Sequence, residues 1–587
     1  MTSARRFSLA RATAFTALVS ALLGACAQLQ PSASERDALR AAFVLLGEEG
    51  APIARAITTA AACPELVVDG VARSMTVRAP AANIPLRPTR STPAESKPSA
   101  FPVLVCEAPL PSGAARATVA GRALPVPKAT PQRIAVIGDT GCRLKGSDAV
   151  FQACNDPNAW PFADVAAAAA AAGPDLVIHV GDFHYRENAC PPGNSGCAGS
   201  PWGYGWDTWD ADFFTPARRL LAAAPWIVVR GNHESCDRGG QGWWRFLDPR
   251  PFAAGRDCND AANDTIGDFS EPYAVPIAAD TQFLVFDSSK VGVDPLLATE
   301  PLYRTYTAQL REALALANRR PGVHNLFMNH HPILAFAPNP RTVPTGLYPG
   351  NGSLQSVLRP INGEMLFPRS VDAVLAGHVH LFEMVSYATA HPTQIVSGNG
   401  GAWADVPLPS ALPPGATPSP GATIESIVST NRYGYLLLER GAAASGAWRL
   451  EERDRQGRLF TTCTLRDGKT RCAPEALPSN ASSAYSSARP ARPRFRASRR
   501  ASPAARRRRN GNTCSSRRSR TTPTIRWSPK TARLCSGRWR TIRRRSSPSP
   551  PISIRMTSRC CPGAGKSRKG FPRPARPSRA RRMRRSV

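Results

Sequence analysis

Gly138-Asp139-Thr140-Gly141, Gly181-Asp182-Phe183-His184-Tyr185, Gly231-Asn232-His233-Glu234, Asn329-His330-His331-Pro332 and Gly377-His378-Val379-His380 are five short polar blocks in the middle of a 587-residue chain. Each directly follows an apolar run: Ile134-Ala135-Val136-Ile137, Leu176-Val177-Ile178-His179-Val180, Trp226-Ile227-Val228-Val229, Leu326-Phe327-Met328 and Ala373-Val374-Leu375. Short runs rich in β-branched and aromatic residues read as buried strands. Functional sites of open α/β sheets form just beyond the carboxyl ends of the strands, so five blocks at five such ends can converge in space. Asp, Asn and His in that number and order are metal-ligand chemistry.

These residues resemble the calcineurin-like metallophosphoesterase superfamily, whose pattern is Gly-Asp, Gly-Asp, Gly-Asn-His-Asp/Glu, a His near His-Pro, and Gly-His-x-His. The resemblance covers roughly residues 131 to 440. Most members begin Asp-x-His, but the residue two after Asp139 is Gly141, and Tyr185, three after Asp182, looks like its replacement. That variation is the arrangement of the purple acid phosphatases, in which a tyrosinate binds a ferric ion.

Carried over residue by residue, the resemblance implies one metal on Asp139, Asp182, Tyr185 and His380. It implies a second on Asp182, Asn232, His330 and His378, with Asp182 as the bridge. Carboxylate and phenolate suit a hard trivalent ion, whereas imidazole and amide oxygen suit divalent iron, zinc or manganese. The implied cofactors are two metal ions, Fe(III) with Fe(II), Zn or Mn. The implied reaction is phosphomonoester hydrolysis through a metal-bound hydroxide, with the paired ions neutralising a phosphoryl oxygen. His233 would face the substrate, stabilising phosphoryl charge or protonating the leaving group. His331 is the runner-up donor, and Glu234 a candidate to orient His233. His179, His324 and His391 read as hydrogen-bonded structural residues, and His184 fits either role.

The implied fold is a layered α/β/β/α metallophosphoesterase sandwich with a small N-terminal accessory domain and a disordered basic tail. Residues 27–130 hold a helix-like stretch from about Ser34 to Ala62 and then β-like pieces. Residues 131–440 form the catalytic domain, in which Phe162 to Ala172 and Tyr303 to Arg320 look helical. Residues 441–478 add strands and a hairpin turning at Asp467-Gly468, a strong two-residue turn. Aromatics at Trp202, Tyr204, Trp206, Trp209, Trp243 and Trp244 could stack on a substrate ring, but more often such residues pack a long loop.

The formal charge of +33 belongs entirely to the end of the chain. After residue 480 there are 33 Lys and Arg and no Asp or Glu, so residues 1–480 carry 42 of each sign. A segment so rich in Arg, Ser and Pro, spanning 479–587, cannot bury a core and is expected to be disordered. Its abrupt onset, lack of periodicity and scattered Trp and Cys fit an out-of-frame terminus of a GC-rich gene better than a polybasic arm. The competing reading from another class is a polycationic, anion-binding protein acting through that tail.

At the other end, Arg5 and Arg6 precede an apolar stretch from about Ala12 to Leu23, too short to span a bilayer stably. Leu23-Gly24-Ala25-Cys26 matches a bacterial lipobox, which implies a signal peptide over residues 1–26, lipidation of Cys26 and a membrane partner through that anchor. Ala27 in the next position favours the outer membrane and so the periplasmic face. Ordinary cleavage after Ala25 or a twin-arginine route are the alternatives. Setting aside Cys26 and the four tail cysteines leaves ten, an even number that in an exported protein suggests disulfides. Neighbours pair as Cys63 with Cys106, Cys142 with Cys154, Cys190 with Cys197, Cys236 with Cys258, and Cys463 with Cys472. Counting outward from the Asp467-Gly468 turn puts the last two directly opposite each other. A phosphoester small molecule is the expected substrate, with a phosphodiester on nucleotides or lipid headgroups as the nearest rival. A nucleic-acid partner is not expected.

Overall fold

The computed structural model describes residues 32–342, 344–441 and 446–474. The expected export signal with Cys26, and the basic tail expected to be disordered, lie outside the described residues.

Two β-sheets dominate. The larger has eleven strands, in the order Lys469–Pro474, Leu459–Arg466, Trp448–Asp454, Gly434–Arg440, Arg133–Ile137, Leu176–His179, Trp226–Val228, Leu39–Leu46, Pro52–Thr58, Leu104–Pro109 and Thr76–Ala79. The smaller has seven: Tyr273–Ala278, Thr281–Val285, His324–Met328, Val371–Ala376, Thr393–Ser397, Phe382–Tyr387 and Ile424–Thr430. Alternation along each strand makes the layers. Ile134 and Val136 face Val285, Leu326, Met328 and Leu375 in the core between the sheets. Ala135 and Ile137 face the other way, under the helices Phe162–Ala171 and Thr215–Ala223. Across the smaller sheet, Phe327 and Val374 pack under Pro301–Asn318 and Gly352–Asn362. The order is therefore helix, sheet, sheet, helix, as expected. Each fully buried Leu or Phe contributes about 1.5–3 kcal/mol.

The stretch from Ser34 to Ala62, read as helix-like, is a strand hairpin. Only Ala33–Ala38 is α-helical; Leu39–Leu46 and Pro52–Thr58 pair antiparallel across a connection that holds one 3-10 turn at Glu48–Gly50. Ala41 to Leu46 is buried on both faces, and such a continuous apolar run has no period that separates strand from helix. Leu39–Leu46 also pairs parallel with Trp226–Val228, so these residues extend the main sheet. Residues 65–124 add a separate four-stranded sheet. At the opposite edge, the strands after residue 441 continue the main sheet through Gly434–Arg440.

All five expected disulfides are formed. Cys463 and Cys472 are cross-strand partners around a turn in which Asp467 and Gly468 both have positive φ, with Cα atoms 3.9 Å apart. Five such bonds suggest an exported protein. Among the described residues no helix is long and apolar enough to cross a membrane.

One buried carboxyl makes stability depend on pH. Glu383 is fully buried, and both of its oxygens lie against the Phe336 amide, at 3.1 and 3.2 Å. Burial pushes it up to about 8, against about 4.3 in an unfolded chain. Its contribution to stability is therefore whole below about pH 4.3 and is lost as pH rises towards 8, at roughly 1.4 kcal/mol per unit. Glu383→Gln removes that loss. Its melting temperature should gain on the parent protein steadily between pH 5 and pH 8; parallel profiles would refute the assignment.

Candidate metal centre

The five polar blocks meet where the strands of both sheets end. Arg133–Ile137, Leu176–His179 and Trp226–Val228 are parallel neighbours in one sheet, and His324–Met328 and Val371–Ala376 are parallel neighbours in the other. Each chain turns sharply as it leaves its strand. Asp139, Asp182 and His378 have φ of 55°, 58° and 70°, a left-handed conformation that costs a non-glycine residue about 1 kcal/mol or more. Cross-sheet hydrogen bonds hold the turns together: the His378 amide donates to Asp139 Oδ2 at 2.9 Å, and His330 Nδ1 to the Val180 carbonyl at 2.9 Å.

All seven expected ligand side chains converge, in two overlapping groups. In the first, Tyr185 Oη lies 2.9 Å from Asp139 Oδ1, 2.9 Å from Asp182 Oδ2 and 2.8 Å from His380 Nε2. In the second, Asn232 Oδ1 lies 3.1 Å from His330 Nε2 and 2.9 Å from His378 Nδ1. Asp182 Oδ2 joins them, being also 3.1 Å from His330 Nε2. Asp182, His330 and His378 form a compact candidate cluster for a cation.

The donor set fits metal. Bonds of about 2.0–2.2 Å place neighbouring ligand atoms about 3 Å apart, close to the 2.8 to 3.4 Å separations within the two groups. The tautomers agree as well. Backbone carbonyls only accept, so His330 Nδ1 facing Val180 and His380 Nδ1 facing Trp403, at 2.6 Å, must carry the protons. Both Nε2 lone pairs are thereby turned inward, the usual outer support of a metal-binding imidazole. Without a cation, burial and the neighbouring carboxylates of Asp139 and Asp182 push the Tyr185 phenol well above its ordinary value. A bound cation reverses that field.

His233 sits beside this cluster, its ring centroid 3.8 Å from that of Tyr185. Its amide donates to Asp182 Oδ1 at 2.8 Å. Glu234 does not orient it. The Glu234 carboxylate instead accepts from the amides of Gly231, Asp182, Phe183 and His184, lacing two site loops together. The orienting residue is Glu187, whose Oε1 is 2.7 Å from His233 Nδ1 and which is ion-paired with buried Arg238. Burial and the Arg238 charge push His233 down to about 3, so the imidazole is neutral. Glu187 and Arg238 escaped the sequence reading because they lie outside the polar blocks, and only the fold brings them to His233.

His331 is buried with Nδ1 3.1 Å from Ser288 Oγ, its ring 4.2 Å from that of His378. The remaining histidines stay apart from the cluster. His179 bonds Thr140, His324 bonds Asp372, and His391 bonds Thr389 and the Glu364 carbonyl. His184 is also structural, bonded to Thr208 within the core. Disulfides follow three of the blocks closely, at Cys142, Cys190 and Cys236.

Residues 132–382 match the family model for calcineurin-like phosphoesterases. The chain contains a calcineurin-like phosphoesterase domain. Solved structures similar to the chain include purple acid phosphatase PPD1 from yellow lupin (Lupinus luteus) seeds, 15% identical over 73% of this chain and 74% of that one, with a TM-score of 0.46. Another is PhoD, 12% identical over 77% and 94%, with a TM-score of 0.42. No curated protein sequence matches the chain. The phosphoesterase domain and the candidate cluster coincide, since Asp139, Asp182, Asn232, His330, His378 and His380 all fall within the matched residues.

Proposed function

We propose that this protein is an exported, two-metal phosphomonoesterase of the purple acid phosphatase type. The observation that carries the reading is the position of the Asp182 carboxylate, shared between the Tyr185 group at 2.9 Å and the His330 group at 3.1 Å. One metal would be held by Asp139, Asp182, Tyr185 and His380, the other by Asp182, Asn232, His330 and His378. The hard phenolate-containing set suits Fe(III), the imidazole and amide set Fe(II), Zn or Mn. Bound there, the pair supplies charge neutralisation of the phosphoryl group and an activated water.

The chain's own residues supply the rest. Asp182 also accepts from the His233 amide, so the residue that shares the metals fixes where His233 stands. Glu187 Oε1 at 2.7 Å from Nδ1, with Arg238 Nη2 2.6 Å from both ring nitrogens, holds the imidazole in place beside the cluster. His233 would act only once the incoming phosphoryl charge has protonated it, and would then stabilise that charge or pass a proton to the departing oxygen. His331, held by Ser288, is the reserve donor. Export is supported by the five disulfides, and attachment through a lipidated Cys26 is part of the same proposal.

The test is hydrolysis of p-nitrophenyl phosphate and of its bis-ester by purified full-length protein supplied with Fe and Zn or Mn. Monoester turnover with a visible tyrosinate-to-iron absorption band is the expected result. Turnover of the bis-ester alone would replace monoester by diester chemistry. Two bound metals without turnover of either ester would end the hydrolase reading.

A further inference from the structure

The aromatic residues that stand out in the sequence are spoken for by the core. Trp206, Trp209, Trp243 and Trp244 are buried with Phe183, Phe213 and Phe246, Tyr204 is buried against His184, and Trp202 is half-buried with Lys97 over its ring. Among the described residues the exposed tryptophan is Trp403, with 51% of its surface in water. Single exposed apolar residues are common and need no explanation by themselves. The attachment of this one is unusual.

Trp403 lies on the segment that follows the strand Thr393–Ser397, and that segment is fixed to the candidate centre at three successive points. The Ala402 amide donates to the Asp139 carbonyl at 2.8 Å. The Trp403 carbonyl accepts from His380 Nδ1 at 2.6 Å. Asp405 closes the clamp, its amide donating to the His380 carbonyl at 3.1 Å and its carboxylate accepting from the His380 amide at 2.9 Å. The backbone of Trp403 is thus pinned to two of the residues that bracket Tyr185. A flat, rigid ring with two rotatable bonds, half of it in water, is carried on backbone fixed to a residue of the cluster.

We propose that Trp403 is a stacking platform for the leaving group, selecting phosphomonoesters whose leaving group is a flat aromatic ring. This rests on the metal-centre reading above, because the phosphoryl group must be anchored there for the ring to reach Trp403. Offset stacking of two aromatic rings adds attraction beyond their burial and discriminates against saturated groups of equal size.

The experiment is equilibrium binding of three non-hydrolysable monoester mimics, phenylphosphonate, cyclohexylphosphonate and methylphosphonate, to the metal-loaded full chain by calorimetry. The parent protein should prefer phenyl to both others by about tenfold. Trp403→Ala should collapse that ratio to within about twofold, and Trp403→Phe should restore most of it. Equal affinity for phenyl and cyclohexyl groups, or a ratio unchanged in Trp403→Ala, overturns the assignment while leaving the hydrolase reading intact. Preference for phenyl in a protein that turns over no ester supports the platform and removes only the hydrolase reading. Failure to bind any phosphonate overturns both.

Discussion

Asp182→Asn is expected to reduce phosphomonoester turnover on the order of a thousandfold and to lower the metal content below two ions per chain. The substitution is nearly isosteric. An asparagine oxygen in the place of Oδ1 keeps the 2.8 Å bond from the His233 amide, so the loop after Gly231 has no reason to move. The other oxygen becomes an NH2 group, a donor with no lone pair for a cation. It would stand where Oδ2 now lies 2.9 Å from Tyr185 Oη and 3.1 Å from His330 Nε2, so both ligand groups lose their common member. Elemental analysis, turnover and a thermal melt should be made on the same preparations. A fold melting close to the parent, with metal and activity both gone, is the expected outcome. Retention of both metals and of activity within tenfold would show that Asp182 does not join the two groups.

Gly231→Ala should do comparable damage without changing any ligand. A β-carbon at Gly231 would stand 2.1 Å from Asp182 Oδ1 and 2.3 Å from the Asp182 backbone nitrogen, closer than non-bonded atoms allow. The backbone at Gly231 is extended, with φ of −97°, so the demand is for space and not for a left-handed conformation. The Asp182 carboxylate must shift, and a displacement of about 1 Å in a catalytic group commonly costs about a hundredfold in rate. Gly377 makes the same demand from the other sheet, where a β-carbon would meet Asp139 Oδ2 at 2.4 Å. Gly292→Ala is the control, since the nearest atom to its added methyl is 3.8 Å away. The check is metal affinity by titration together with turnover. Parent-like values in Gly231→Ala would mean that the Asp182 loop is softer than its packing implies.

The strands were legible because their residues are buried on the pleated faces of sheets. Ile134-Ala135-Val136-Ile137 has no room for a polar side chain on either face, and the first polar residue marks where the strand leaves the core. The hairpin at Asp467-Gly468 was legible for a local reason, both turn residues requiring positive φ. Ser34 to Ala62 failed for the converse reason: an unbroken apolar run looks alike whether coiled or extended, and only pairing with Trp226–Val228 makes part of it a central strand. Glu234 was misassigned because proximity in sequence to His233 is not proximity in space. Its carboxylate turns back to four amides, and Glu187 reaches the imidazole from another loop.

By itself the sequence offered the candidate ligand residues and their order, the strands that end at them and the ten cysteines that pair. Those properties follow from residue chemistry and from local periodicity, which need no knowledge of distant contacts. Only the tertiary structure decided that the ligands come from two facing sheets, that Asp182 stands between two groups, that His233 is held by Glu187 and Arg238, and that Trp403 is pinned to His380 with its ring in water. Each of those is a contact between residues far apart in the chain or on separate loops. Such contacts are set by the packing of one sheet on the other, which no local pattern of residues encodes.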